Sequence, residues 1–167
     1  MLIRSFAALI AGICFATVSV ADTLPSPTGQ VILTVTGNIA NTNDGKAAKF
    51  DRAMLEGLGM TEITTSSPWY DKKSTFAGVP FKVVMDYVGA EGENVSAVAL
   101  NDYSTNIPMV DVRETDVILA TKLNGVDMDV RDKGPIFVIY PYDSASKLQT
   151  QTYYARSAWQ VTKLIVE

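Results

Sequence analysis

The chain is 167 residues long and carries 14 basic against 18 acidic side chains, no histidine and one cysteine. The missing imidazole excludes serine-histidine and cysteine-histidine nucleophilic machinery and removes the commonest metal ligand. An acidic chain without a basic cluster is a poor partner for nucleic acid, and the length suits one domain with a real hydrophobic core.

Arg4 and an apolar run from Phe6 to Val20, ending in Ser19-Val20-Ala21, read as a secretory leader over residues 1–21, cut after Ala21. The run is too short to cross a bilayer comfortably. Cys14 lies inside this leader, so the exported chain keeps no thiolate for a disulfide, a nucleophile or a metal. Residues 22–30, with Pro25, Pro27 and Gly29, read as an extended linker. The domain proper is then residues 31–167.

Residues 31–36 alternate in polarity and predict a first strand ending at Gly37. A polar loop follows over 38–45. Asp51 predicts the N-cap of a short helix with Met54, Leu55 and Leu58 on one face, closed by Gly57 and Gly59. Residues 62–66 read as a polar, β-branched strand leading into Pro68-Trp69-Tyr70. The strongest helical pattern has Pro80 at its first position, Phe81, Val84, Met85 and Val88 on one face, and Gly89 beyond its end. Further strands are predicted over 94–100 and 117–121, and Asn124-Gly125 turns the latter into 126–130. Residues 136–140, set between Gly134-Pro135 and Pro141, form an unbroken apolar run. It reads as a strand buried on both faces, around which the rest is organised. Residues 149–154 are polar and aromatic, and 159–166 close the chain as a last strand. Many short strands with few helices predict an α+β fold.

Polar and aromatic residues gather at four strand ends, 66–70, 101–104, 131–133 and 153–159. Trp69, Tyr103, Tyr140, Tyr154 and Trp159 can wall a slot for a flat ring, with Asn101, Asp102 and Arg156 meeting its polar edge and any anionic group. Asn101-Asp102-Tyr103-Ser104 reads equally as an Asx turn, and Trp159 equally as a core anchor. Asp127 and Asp129 share a strand face, but turns and solvated edges explain them as well as acid–base work does.

The order of several motifs resembles the sulfite-oxidase-type molybdopterin-binding domain over about residues 30–167. Phe76-Ala77-Gly78-Val79-Pro80-Phe81 with its helix is similar to that family's G-V-P-L turn and helix. Asn101-Asp102-Tyr103, Val117-Ile118-Leu119-Ala120 with Asn124-Gly125, and Gly134-Pro135 with a strand ending Tyr140-Pro141 follow in the family's order. Arg156-Ser157-Ala158-Trp159-Gln160 is similar to its basic-x-x-Trp ending. The resemblance implies mixed β-sheets with a few short helices. The family's oxidoreductases hold molybdenum through a cysteine thiolate, and where that cysteine belongs this chain has Thr64, Thr65, Ser66 and Ser67. Hydroxyls are poor ligands for a soft metal.

Small exported members without the cysteine include pterin-binding regulators that work with a membrane-bound enzyme making or degrading cyclic di-GMP. The resemblance therefore implies a periplasmic pterin-binding regulatory protein, holding a pterin such as a tetrahydropterin without molybdenum catalysis. Its partner would be the periplasmic part of that enzyme. In this reading Trp69, Tyr103 and Trp159 stack on the ring, Asn101 and Asp102 read its edge, and Arg156 faces its side chain. The alternatives are an exported molybdopterin-dependent oxidoreductase subunit and an adaptor domain with an empty pocket.

Overall fold

The computed structural model of the chain describes residues 23–167, so the leader and its cleavage site lie outside the described residues. Two sheets carry the domain. The first contains β1 (Val31–Gly37), β2 (Ala48–Asp51), β5 (Asn94–Ala99), β6 (Ser104–Pro108) and β10 (Val161–Val166), in the order β2-β1-β10-β5-β6. The second orders β3 (Thr61–Ser67), β4 (Tyr70–Pro80), β7 (Ile118–Leu123) and β8 (Val126–Asp127), with β9 (Phe137–Ile139) also paired to β7. Among the described strands, β1 and β10 alone pair in parallel; the other strand pairings are antiparallel. This is the expected α+β architecture of mixed sheets with short helices.

Alternation builds the first sheet. In β5, Val95, Ala97 and Ala99 are buried while Asn94, Ser96 and Val98 are partly exposed, as a period of two requires. In β1 the same rule buries Leu33 and Val35. The second sheet contributes Phe76, Val79, Ile118 and Leu119 to the same core. The run from Ile136 to Tyr140 is fully buried, and it sits at the seam between the sheets. β9 pairs with β7 on one side. On its other side the Val138 amide donates to the Ala158 carbonyl at 2.9 Å, and Ile136 accepts from the Val161 amide at 3.0 Å. No polar side chain can occupy such a position cheaply, which explains the unbroken apolar run.

Four short helices fill the edges among the described residues: α1 (Arg52–Gly57), α2 (Phe81–Tyr87), α3 (Met109–Glu114) and α4 (Gln151–Arg156). α2 buries Phe81, Val84 and Met85, and Gly89 follows its end at φ +60. Pro80 is the last residue of β4 and caps α2 from outside, with φ −53 and ψ 127. It does not occupy the first helical position predicted for it, because its extended ψ continues the strand. The 76–80 segment, read from sequence as a turn, is the second half of β4.

Residues 24–30, read as an extended linker, form no helix or strand and are tied to the domain by hydrogen bonds. Thr23 bridges to Thr42, the Leu24 amide donates to the Thr42 carbonyl at 2.9 Å, and the Thr28 and Gly29 amides each donate to Asp51 Oδ2 at 2.8 Å. Asp51 Oδ1 meanwhile accepts from the Met54 amide at 2.8 Å and caps α1 as predicted. One buried carboxylate thus serves two chain segments. Hydrogen bonds from Met54, Gly29 and Thr28 hold its pKa below the ordinary 3.8. A depressed carboxylate contributes stability that is complete above the unfolded pKa and is lost as pH falls through the lower folded value. Asp51→Ala should therefore lower the melting temperature at pH 7 and flatten its decline below pH ~3.8. Thermal scans of both proteins from pH 7 to 2.5 check this, and parallel curves would refute it.

Candidate functional site

Three turns converge on one depression. The first is the tip of the β3–β4 hairpin. Ser67 pairs with Tyr70, so Pro68 and Trp69 alone make the turn. β4 meets β7 only from Phe76 onward, so the outer half of the hairpin is a two-stranded ribbon that carries Trp69 at its end. The indole lies edge-on to Phe137 at 5.0 Å, Tyr154 at 6.0 Å and Trp159 at 6.0 Å, a geometry that suits the ring quadrupoles.

The second is the turn from β5 to β6. Asn101 Oδ1 accepts from the Tyr103 amide at 3.1 Å, and Asp102 takes φ 62. This is an Asx turn, and Asn and Asp tolerate its left-handed residue better than most. Tyr103 emerges 51% exposed.

The third is the segment 151–160. α4 buries none of its residues fully and is held by polar links at its end. Thr105 Oγ1 donates to the Ala155 carbonyl at 2.9 Å, and Arg156 Nη1 reaches Asp111 Oδ2 at 2.7 Å. Ser157 and Ala158 then dive into the core, where Ser157 Oγ meets the Tyr142 hydroxyl at 2.6 Å. Gln160, at φ 54, bonds through its amide to the Lys133 carbonyl and through its own carbonyl to the Leu100 amide. This clamp leaves Trp159 projecting at 42% exposure.

Between these turns lie two adjoining hollows of ≈ 260 and ≈ 340 Å³. Tyr103, Tyr154, Ala155 and Trp159 line both; Ala99, Asn101 and Ser157 complete the first, and Pro68, Trp69 and Gln151 the second. No charged side chain lines either one. The result is an open aromatic slot with an amide at its edge.

The structure thus gathers Trp69, Asn101, Tyr103, Tyr154 and Trp159 from distant parts of the sequence. The other expected residues line neither hollow. Tyr140 is fully buried and donates to Asp111 Oδ2 at 3.0 Å, so it cannot wall a slot. Arg156 turns to the same carboxylate, lies 5.3 Å from the Tyr153 ring and lines neither hollow. Asp102 lines neither hollow but is exposed between two lining residues, Asn101 and Tyr103. Pro68, Ala99, Gln151, Ala155 and Ser157 escaped sequence reasoning. The alanines carry no chemical signal, and α4 lacks the buried stripe that would betray a helix.

The hydroxyl run beside Trp69 is mostly spoken for. Thr64 and Thr75 hydroxyls meet at 2.8 Å, Thr65 Oγ1 accepts from the Asp143 amide at 3.1 Å, and Ser66 donates through its amide and hydroxyl to the Asp143 carboxylate. Those Ser66 bonds, with Lys73 at 2.9 Å, hold Asp143 down to about 2. Ser67 Oγ is buried without a protein partner, and so is the Tyr70 hydroxyl. Next in the chain after Trp69, Tyr70 lies under Lys133 Nζ at 4.7 Å, and burial together with Asp132 pushes its phenol up to about 12.

A model of the family described as oxidoreductase molybdopterin-binding domain matches residues 46–148. No curated protein matches this chain significantly by sequence. Among solved structures, the sulfane dehydrogenase SoxCD from Paracoccus pantotrophus superposes with a TM-score of 0.60 at 18% identity. The match covers 80% of this chain and 37% of that one, so this chain spans well under half of the protein it matches.

Proposed function

Because this chain belongs to the family of oxidoreductase molybdopterin-binding domains, we propose that it is a pterin-binding regulatory protein of that family rather than a molybdenum enzyme. The observation that carries this reading is the slot between Trp69, Tyr103, Tyr154 and Trp159, with Asn101 at its edge. A pterin is a flat bicycle with a donor–acceptor edge, so it needs an aromatic face and a convergent amide. Asn101 Oδ1 is engaged by the Tyr103 amide, and its amide nitrogen supplies two donors for one side of the ring.

The donor set beside the slot does not suit molybdenum. Its centre takes a cysteine thiolate in this family, and the corresponding stretch offers hydroxyls, of which only the Ser67 oxygen lacks a protein partner. A neutral hydroxyl is a hard, weak ligand, so no redox step is assigned to these residues. A protein that binds without transforming its ligand acts by favouring one surface when filled and another when empty. We place it in the periplasm, cleaved after Ala21, presenting pterin status to the periplasmic part of a membrane-bound cyclic di-GMP enzyme. The second reading, an exported molybdopterin-dependent oxidoreductase subunit, is favoured by the family match over 46–148. Stoichiometric molybdenum in protein purified from its native compartment would establish it in place of the first.

Loss of a stacked aromatic typically costs ~1–3 kcal/mol. Trp159→Ala should therefore weaken tetrahydropterin binding about tenfold or more, while the fold persists because the indole is 42% exposed. Titration calorimetry on folded wild type and variant decides it: equal affinities, or no binding by the wild type, would end the pterin reading. Cellular cyclic di-GMP that ignores deletion of this protein at every pterin level would remove the signalling partner.

A further inference from the structure

The slot has an electrostatic character that its aromatic walls do not explain. Neither hollow is lined by a basic side chain. Of the basic side chains in segments 131–133 and 153–159, Arg156 is engaged by Asp111 at 2.7 Å, Lys133 sits over Tyr70 with Asp132 at 3.5 Å, and Arg131 is exposed and lines neither hollow. One acidic side chain adjoins the lining along the chain. Asp102 lies between the lining residues Asn101 and Tyr103, is exposed, and forms no salt bridge among the described residues. Its left-handed backbone, φ 62, fixes it at the tip of the turn.

We infer that Asp102 is a specificity-determining residue that makes the slot select uncharged rings and reject those carrying phosphate. The inference rests on the ring-binding reading of the slot. A phosphate-bearing ligand would bring its charge against an aromatic wall that offers it no counter-charge, and unpaired charge is costly to desolvate. At the mouth it would meet a carboxylate. Even in water, like unit charges a few ångströms apart repel by about a factor of five in affinity, and a multiply charged tail multiplies that.

The test uses the exported chain and two probes sharing one ring, dihydroneopterin and dihydroneopterin triphosphate, followed by quenching of tryptophan fluorescence. The neutral probe should bind at least about tenfold more tightly than the triphosphate at low salt. The difference should shrink as salt rises to ~1 M and shortens the Debye length to ~3 Å. Asp102→Asn keeps a residue that tolerates the left-handed turn. It should tighten triphosphate binding several-fold and leave the neutral probe unchanged. Equal or tighter binding of the triphosphate by the wild type, or an Asp102→Asn variant with the wild-type ratio, overturns the inference while the ring-binding reading stands. Binding of neither probe overturns both.

Discussion

Asp111→Ala should be the most destabilising substitution of a polar side chain in this protein, lowering its stability by about 3 kcal/mol. Asp111 is 8% exposed and accepts from the Tyr140 hydroxyl at 3.0 Å and from Arg156 at 2.7 Å through one oxygen. Burial and the neighbouring carboxylate push the Tyr140 phenol well above its ordinary range, so it remains a donor at any ordinary pH. Alanine leaves that buried hydroxyl unsatisfied and strips a partly buried guanidinium of its partner. Removing one member of a buried pair costs ~3–5 kcal/mol, and the lower end applies because the Arg156 side chain is 25% exposed. For a domain of this size the melting temperature should fall by about 6–12 °C. The damage should also be local. α4 buries none of its residues, so the Arg156–Asp111 contact that ties its last residue to α3 has few substitutes, and Tyr154 and Ala155 of the slot ride on it. Adding Tyr140→Phe to Asp111→Ala should recover about 1 kcal/mol, because no orphaned hydroxyl then remains. Urea unfolding at constant m-value measures both effects. A loss below 1 kcal/mol for the single variant would show that water takes over the pair.

Gly78→Ala should be at least as severe. A methyl group at Gly78 would lie 2.2 Å from the Leu119 carbonyl oxygen and 2.5 Å from the Ala120 Cα. Both obstacles are backbone of β7, the strand to which β4 and β9 are both bonded. A flexible side chain could swing aside, but β7 cannot move without opening two ladders. The register shift between Ala77 and Gly78 marks the same crowding. Overpacking ordinarily costs ~1–3 kcal/mol, and a clash with backbone belongs at or above the upper figure. Expression of Gly78→Ala should give mainly insoluble protein, or soluble protein with a clearly lower urea midpoint. A midpoint equal to the wild type would mean that β4 and β7 separate more easily than their shared ladder implies.

What the sequence determined by itself was whatever depends on neighbours along the chain. The alternation of β1 and β5, the Asp51 cap, the α2 stripe with Gly89 behind it and the Asn124-Gly125 turn all follow from local patterning, and all are present. The buried run at Ile136–Tyr140 was legible for the same reason. The order of short motifs also pointed to the family. Elements with no buried stripe stayed hidden: β6 buries only Ile107, α4 nothing fully, and the outer half of β4 is a charged ribbon. The tertiary structure alone decided which polar groups face one another. Tyr140 and Arg156 looked like site residues until Asp111, distant in sequence, claimed them both. Pairing between distant charges costs nothing that local pattern records, because it is settled by how α3 and α4 pack on the sheets. The same packing brought Trp69 within 6.0 Å of Trp159, and it made a slot from residues that are separately ordinary.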